Sequence, residues 1–208
     1  YNNKCITITG TNGKSTTTQL IYEVLKRQGY DIKIAGNIGY PILSIKNIKP
    51  KSIFVIEASS YQLEYSRIFN SKYSAILNIT PDHLERHKTL KEYIKIKFKL
   101  IKNQKPDSIA FVNKYDVNIN KFLKKKFFRS KIIKVNVKLN NKYLLNFKNN
   151  YFLSTSNKEN LLFVLEIIKK FKINKKLLIK SLTNFKGLKY RQQIIYNKKN
   201  IKIINDSK

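Results

Sequence analysis

Methionine and tryptophan are absent from these 208 residues, cysteine occurs once, and 12 acidic residues face 43 lysines and arginines. Each shortage excludes something. A single thiol, Cys5, forms no disulfide within the chain, so a reducing, cytoplasmic setting is expected. No run of apolar residues reaches the length of about 18 needed to cross a bilayer, so no membrane partner is expected. With Tyr1 first, no methionine, and a stop at Asn205-Asp206-Ser207-Lys208 just after an apolar run, the chain reads as a fragment of a longer protein. Its length suits one good-sized core, or one domain and part of another.

The scarcity of acid leaves a formal charge of +31. Such a charge invites reading the chain as a nucleic-acid-binding module, since cationic patches gain affinity by releasing counterions from phosphate backbones. The pattern argues for a plainer origin. Only five of the 43 basic residues are arginine, and the lysines are spread along the chain. Asn and Ile, which share adenine- and thymine-rich codons with Lys, are abundant as well. A solvated surface with no specific nucleic-acid partner is expected, with long-range attraction for anionic metabolites as a side effect.

What is present is an alternation of strand and helix patterns. Short apolar runs predict strands at Lys4–Thr9, Ile32–Ala35, Ile53–Ile56, Ser74–Ile79, Ser108–Val112 and Lys131–Val137. Helical spacing predicts helices over Ser15–Gln28, where Leu20, Ile21, Val24 and Leu25 form one stripe, and over Leu90–Ile101, Asn157–Phe171 and Asn174–Thr183. This order argues for an α/β fold, a mostly parallel sheet with helices on both faces. Tyr143–Leu153 alternates weakly, as a hairpin would, and Gln193–Tyr196 with Ile201–Ile204 opens a new strand pair. A boundary near Gly187 divides the chain into residues 1–186 and 187–208.

The strongest chemical signal is Gly10-Thr11-Asn12-Gly13-Lys14-Ser15-Thr16, set between a strand and a helix. Backbone N–H groups in such a loop form a concave nest for phosphate oxygens, and the helix N-terminus adds partial positive charge. Lys14 can reach the β- and γ-phosphates of a nucleotide, and the Ser15 hydroxyl can ligate Mg²⁺. Two residues separate the glycines where the common pattern has four. Gly36-Asn37-Ile38-Gly39 is either a second close-approach loop or an ordinary turn. Glu57 ends one apolar strand, and Asp82-His83 follows the next. Ligands of open parallel sheets sit outside the carboxyl ends of the strands, so Lys14, Glu57 and His83 converge if that sheet forms. His87 has no comparable argument.

These motifs resemble the Mur ligase family, which includes the folylpolyglutamate synthases. Gly10–Thr16 resembles its shortened phosphate loop. Gly36-Asn37-Ile38-Gly39-Tyr40-Pro41, Glu57-Ala58-Ser59-Ser60-Tyr61-Gln62-Leu63 and Asn78-Ile79-Thr80-Pro81-Asp82-His83-Leu84-Glu85-Arg86 are similar to the D-glutamate-adding branch. The resemblance implies a central ATP-binding domain at 1–186 and the start of a Rossmann-like, glutamate-binding domain at 187–208, with the UDP-binding domain absent. It implies amide formation between D-glutamate and UDP-N-acetylmuramoyl-L-alanine through an acyl phosphate, using ATP and Mg²⁺. Another acceptor within the family is the alternative. By the same resemblance, Ser15 and Glu57 hold one metal and His83 a second. Gly10, Thr11, Asn12, Gly13, Lys14, Ser15, Thr16, Asn157, Asn160, Arg191 and Asp206 serve ATP, and Asn37, Ser59 and Lys208 serve the other substrates. Ser154, Ser156 and Lys189-Tyr190 depart from the family's pattern around the base. Finally, Tyr93-Ile94-Lys95-Ile96-Lys97 matches a register whose lysine, here Lys97, is carbamylated and joins Lys14 and His83 in the chemistry. Lys95 lies about 200° around the helix from Lys97, so the two cannot both face the site.

Overall fold

The computed structural model describes residues 3–138, 147–188, 191, 193–198 and 201–205. Six strands, β1 (Lys4–Thr9), β2 (Ile32–Gly36), β3 (Ile53–Glu57), β4 (Tyr73–Ile76), β5 (Ile109–Asn113) and β6 (Lys131–Val135), form one sheet. Their order is β2-β3-β1-β4-β5-β6 and every pairing is parallel. Among the described residues seven α-helices accompany them: α1 (Lys14–Arg27), α2 (Ser60–Tyr65), α3 (Leu84–His87), α4 (Leu90–Lys102), α5 (Val117–Lys124), α6 (Thr155–Ile168) and α7 (Lys175–Asn184).

Successive side chains of a strand point to opposite faces. Ile6 and Ile8 of β1 therefore join one core with Val55, Ala75 and Phe111, covered by the predicted α1 stripe Leu20, Ile21, Val24 and Leu25 and by α6 and α7. Burying such a side chain contributes about 1.5–3 kcal/mol. Helix α6 is apolar from Leu161 to Leu165 and again at Ile167 and Ile168, and these residues are buried; a helix apolar on most sides belongs in an interior. On the other face, Ile76, Ala110 and Val112 pack against Tyr93, Phe98 and Ile101 of α4 and Ile119 of α5. Ala58 and Leu63 pack against Ile96 and Leu100. All five residues of β3 are buried, as expected of an internal parallel strand. That strand carries Glu57 into the interior.

Two expectations are corrected. Strand β4 stops at Ile76 rather than Ile79, because Asn78 turns to grip the loop after β1 and the Ile79 amide bonds the Asp116 carboxylate instead of a neighbouring strand. The expected hairpin at Tyr143–Leu153 falls partly outside the described residues, and Asn150–Leu153 is a 3₁₀ turn opened by the Asn149 side chain. The strand pair is present: β7 (Gln193–Lys198) and β8 (Ile201–Asn205) pair antiparallel as a separate two-stranded sheet.

Candidate active site

The loop after β1 enters α1 through Gly13, which is left-handed at φ 83 and supplies no side-chain cap. The first helical bond runs from the Thr17 amide to the Gly13 carbonyl. The N–H groups of Lys14, Ser15 and Thr16 thus have no intrahelical acceptor and face outward as a ready anion site. A Cβ at Gly13 would run into the Asn160 side chain, so glycine is required there for helix α6 to pack on the loop. One turn earlier on α6, Asn157 donates to the Tyr151 carbonyl at 2.9 Å, and the Tyr151 hydroxyl lies 3.3 Å from that of Thr16. Ser154 caps α6 by accepting from the Asn157 amide, while Ser156 is exposed.

The loop's other flank is strapped to the end of β4. Asn78 accepts from the Asn12 amide at 2.8 Å and donates back to the Asn12 carbonyl at 3.1 Å. The Thr11 hydroxyl donates to the Thr80 carbonyl and accepts from the Thr80 amide. It also lies 3.3 Å from the hydroxyl of Tyr93. Sequence reasoning gave no role to Asn78, Tyr93 or Tyr151. Asn78 offered a signal as a polar residue at a strand end, whereas the two tyrosines look like ordinary core aromatics.

Two cations meet on one carbonyl. Lys14 Nζ donates to Gly10 O at 3.1 Å and to Thr11 O at 2.7 Å. Lys97 Nζ, arriving from α4, donates to the same Gly10 O at 2.9 Å. Lys97 is 1% exposed and its ammonium sits 4.5 Å from the centre of the Tyr93 ring. Lys95 is exposed and pairs with Glu92. Burial chiefly, then the neighbouring Lys14 charge, lowers the Lys97 pKa to about 7 against opposition from Asp82. Burial also lowers that of Lys14. Glu57 opposes that shift most, Arg191 adds to it, and Asp82 opposes it too. Arg191, held by its bridge to Leu188, therefore contributes charge to the same place.

Glu57 is 1% exposed. Its Oε1 accepts from Asn37 Nδ2 at 2.9 Å, and its Oε2 is buried without a hydrogen-bond partner among the described residues. Gly36, at φ 103, lies so close that a Cβ would strike the Glu57 carbonyl, and the Asn37 amide donates to that carbonyl at 3.0 Å. Gly36 is thus a close-approach glycine, and Asn37 is a partner of Glu57. Ser59 caps α2: its hydroxyl accepts from the Gln62 amide and its backbone N–H donates to Gln62 Oε1 at 2.9 Å, completing a capping box. His83 is half-exposed on the rim, with Asp82 Oδ2 at 3.5 Å and Glu85 Oε1 at 3.7 Å. Asp206, Lys208, Lys189 and Tyr190 lie outside the described residues.

Among the described residues no three His, Cys, Asp or Glu side chains converge on one point. The unpaired Glu57 oxygen nonetheless fits a hard cation, and Ser15 is a second oxygen donor at the neighbouring helix start. Mg²⁺ suits so sparse a set because it retains several waters. Glu57→Gln keeps the shape and the Asn37 contact and removes a buried charge. We expect its melting temperature to stay level or rise, since one buried carboxylate oxygen has no hydrogen-bond partner among the described residues, while any turnover that relies on a cation held by that oxygen falls about 10²-fold or more. Calorimetry and steady-state kinetics on the same preparation check this; a large drop in melting temperature would make the carboxylate structural.

Residues 8–181 match the family model described as the Mur ligase middle domain. The chain is 38% identical to the UDP-N-acetylmuramoylalanine--D-glutamate ligase of Clostridioides difficile and 35% identical to that of Rickettsia felis, each match covering 98% of this chain and 49% of the relative. It therefore spans about half the length of these relatives. Among solved structures, a MurF ligase from Thermotoga maritima in complex with ADP superposes with a TM-score of 0.74 at 16% identity, over 99% of this chain and 53% of that one. A UDP-N-acetylmuramoyl-L-alanyl-D-glutamate--2,6-diaminopimelate ligase gives 0.70 at 22% identity, over 95% and 49%. At such identities the superpositions speak to the fold alone.

Proposed function

The chain belongs to the Mur ligase family, and we propose that the protein it forms part of joins D-glutamate to UDP-N-acetylmuramoyl-L-alanine at the expense of ATP. The observation that carries this reading is the meeting of Lys14 and Lys97 on the Gly10 carbonyl, at an uncapped helix start and beside the unpaired Glu57 oxygen. The names of the relatives that align over nearly all of this chain supply the acceptor. We take residues 1–186 as the ATP-binding domain and 187–208 as the start of the glutamate-binding one.

The reaction brings a carboxylate to a triphosphate, so the site must neutralise charge before anything else. The N–H groups at the start of α1 hold phosphate oxygens. Lys14, now bonded to two carbonyls of its own loop, exchanges them for phosphate oxygens, which are stronger acceptors. Ser15 and Glu57 would hold Mg²⁺, which when bound would help neutralise the triphosphate's charge. An oxygen of the L-alanyl carboxylate bonds to the γ-phosphorus, and the phosphorus–oxygen bond to ADP breaks. The amine of D-glutamate then attacks the acyl carbon, gives up a proton, and inorganic phosphate leaves. Asn37 orients Glu57, and Ser59 at the head of α2 faces the acyl end. Asn160 and Asn157 brace the loop from α6, and Arg191 meets the nucleotide's charge.

Lys97 has a further part in this proposal. A lysine with a pKa of about 7 is substantially neutral near neutrality, and a neutral amine attacks the carbon of CO₂. A nitrogen–carbon bond forms, a proton is lost to water, and the cation becomes an anionic carbamate. That anion then answers Lys14 and contributes an oxygen donor on the His83 side.

Assays of the complete enzyme with D-glutamate, L-lysine, meso-diaminopimelate and folate substrates test the acceptor. D-Glutamate is expected to be the preferred one by a wide margin. Turnover with another acceptor and none with D-glutamate would assign the chain to a different branch of the family.

A further inference from the structure

Residues 80–89, which include His83, lie between β4 and α4, and His87 is the one buried residue among them. The backbone of this excursion is left-handed at His83 (φ 52) and at Lys88 (φ 64). Non-glycine residues persist there only where their surroundings hold them. The upstream end is held firmly: Asp116 accepts from the Ile79 amide at 2.7 Å and Asn118 donates to the Ile79 carbonyl at 2.8 Å. Downstream, Arg86 reaches Glu64 and Tyr65 only at the exposed surface, where ion pairs contribute little.

That leaves His87, 4% exposed. Its Nε2 lies 2.9 Å from the hydroxyl of Ser60, at the head of α2 and three residues beyond Glu57. Its ring packs at 5.5 Å against Tyr61 and at 5.4 Å against Tyr93. Tyr61 in turn packs on His83 at 5.2 Å, and Tyr93 lies under Lys97 and reaches Thr11 of the phosphate loop. One imidazole therefore touches the neighbours of His83, of Lys97 and of the loop, and bonds to the corner that follows Glu57.

We propose that His87 is a positioning residue: through its buried bond to Ser60 and its two ring contacts it fixes the His83 turn and the Lys97 face at one spacing from the Glu57 corner. Displacing reacting groups by about 1 Å can lower a rate about 10²-fold, so the effect belongs in kcat. The proposal rests on the ATP-ligase reading. It survives a change of acceptor, since any acceptor that wild-type enzyme turns over serves the test.

Three variants of the complete enzyme decide it. His87→Leu fills the space and loses the bond; kcat is expected to fall about 10²-fold with KM for ATP within about threefold. His87→Gln places an amide where Nε2 was and is expected to recover to within about tenfold of wild type. Ser60→Ala removes only the hydroxyl and is expected to match His87→Leu, with the double variant no worse than either, as for one shared interaction. Binding of Mn²⁺ in the presence of ADP, followed by the spin resonance of free Mn²⁺, should weaken in His87→Leu and Ser60→Ala and not in His87→Gln. A plain core histidine predicts instead that activity follows melting temperature, that Gln is no better than Leu, and that Mn²⁺ binding is unmoved; any of these overturns the proposal. Should His87→Leu fail to fold, Ser60→Ala and His87→Gln decide alone.

Discussion

Replacing Lys14 by alanine in the complete enzyme is expected to lower kcat about 10³-fold or more, while affinity for the UDP-linked substrate changes by no more than a few fold. In the proposed reaction the ammonium would meet charge that grows as the phosphoryl group moves, so it would bind the transition state more strongly than the ground state, and its loss would appear in kcat. Its setting strengthens the expectation, because Lys14 is half-buried and desolvation already lowers its pKa, and charges act more strongly where water is partly excluded. The substitution has a second consequence. Lys14 is the neighbouring charge that helps lower the Lys97 pKa, so removing it lets Lys97 hold its proton to higher pH. Lys14→Ala should therefore lose phosphoryl transfer and also reduce CO₂ uptake by Lys97. An unchanged kcat with a raised KM for ATP would place Lys14 in ground-state binding instead.

The strand–loop–helix turn at Gly10–Thr16 was legible in the sequence because its physics is local. Two glycines, a lysine and a hydroxyl between an apolar run and a helical stripe leave few other structures available, and the α1 stripe is buried as expected. Glu57 was legible for a related reason: an acid ending a continuous apolar strand is carried inward by that strand. Helices α2, α3 and α5, at six, four and eight residues, are too short for a 3.6-residue period to stand out. The struts were illegible for a different reason. Asn78 on Asn12, Tyr151 on Thr16 and His87 on Ser60 join residues 66, 135 and 27 apart in sequence, and nothing in either neighbourhood announces the partner. Ser59 shows the converse. The family resemblance implies a substrate contact for it, and the same residue, three before Gln62, also carries a capping-box pattern, which the structure forms.

Lys97→Ala is expected to lose most of the activity of the complete enzyme, about 10²-fold or more by comparison with the loss of one preorganised electrostatic group. Lys95→Ala, which removes an exposed partner of Glu92, should stay near wild type. The two possible roles of Lys97 predict opposite rescues. If it acts as a cation, small amines should restore part of the activity. If it acts as a carbamate, formate or acetate should do so by returning an anion to the vacated space. The pH dependence separates them as well. Above a pKa of about 7 the amine is neutral and attacks CO₂; below it the lone pair is held by a proton. At fixed CO₂ pressure the carbamylated fraction should therefore rise with pH through about 7, and ¹³C-labelled CO₂ should give a carbamate resonance that Lys97→Ala lacks. The same shift enters stability. The native pKa of about 7 lies below the ordinary 10.5, so between those values the unfolded chain binds the extra proton and stability rises with pH. Lys97→Ala should flatten that rise, a thermal-melt readout that needs no substrate. Normal activity in Lys97→Ala beside loss in Lys95→Ala would reverse the assignment of the two lysines. A missing ¹³C signal in active wild-type enzyme would leave Lys97 as a buried amine braced on Gly10, its charge set by the phosphate loop it touches.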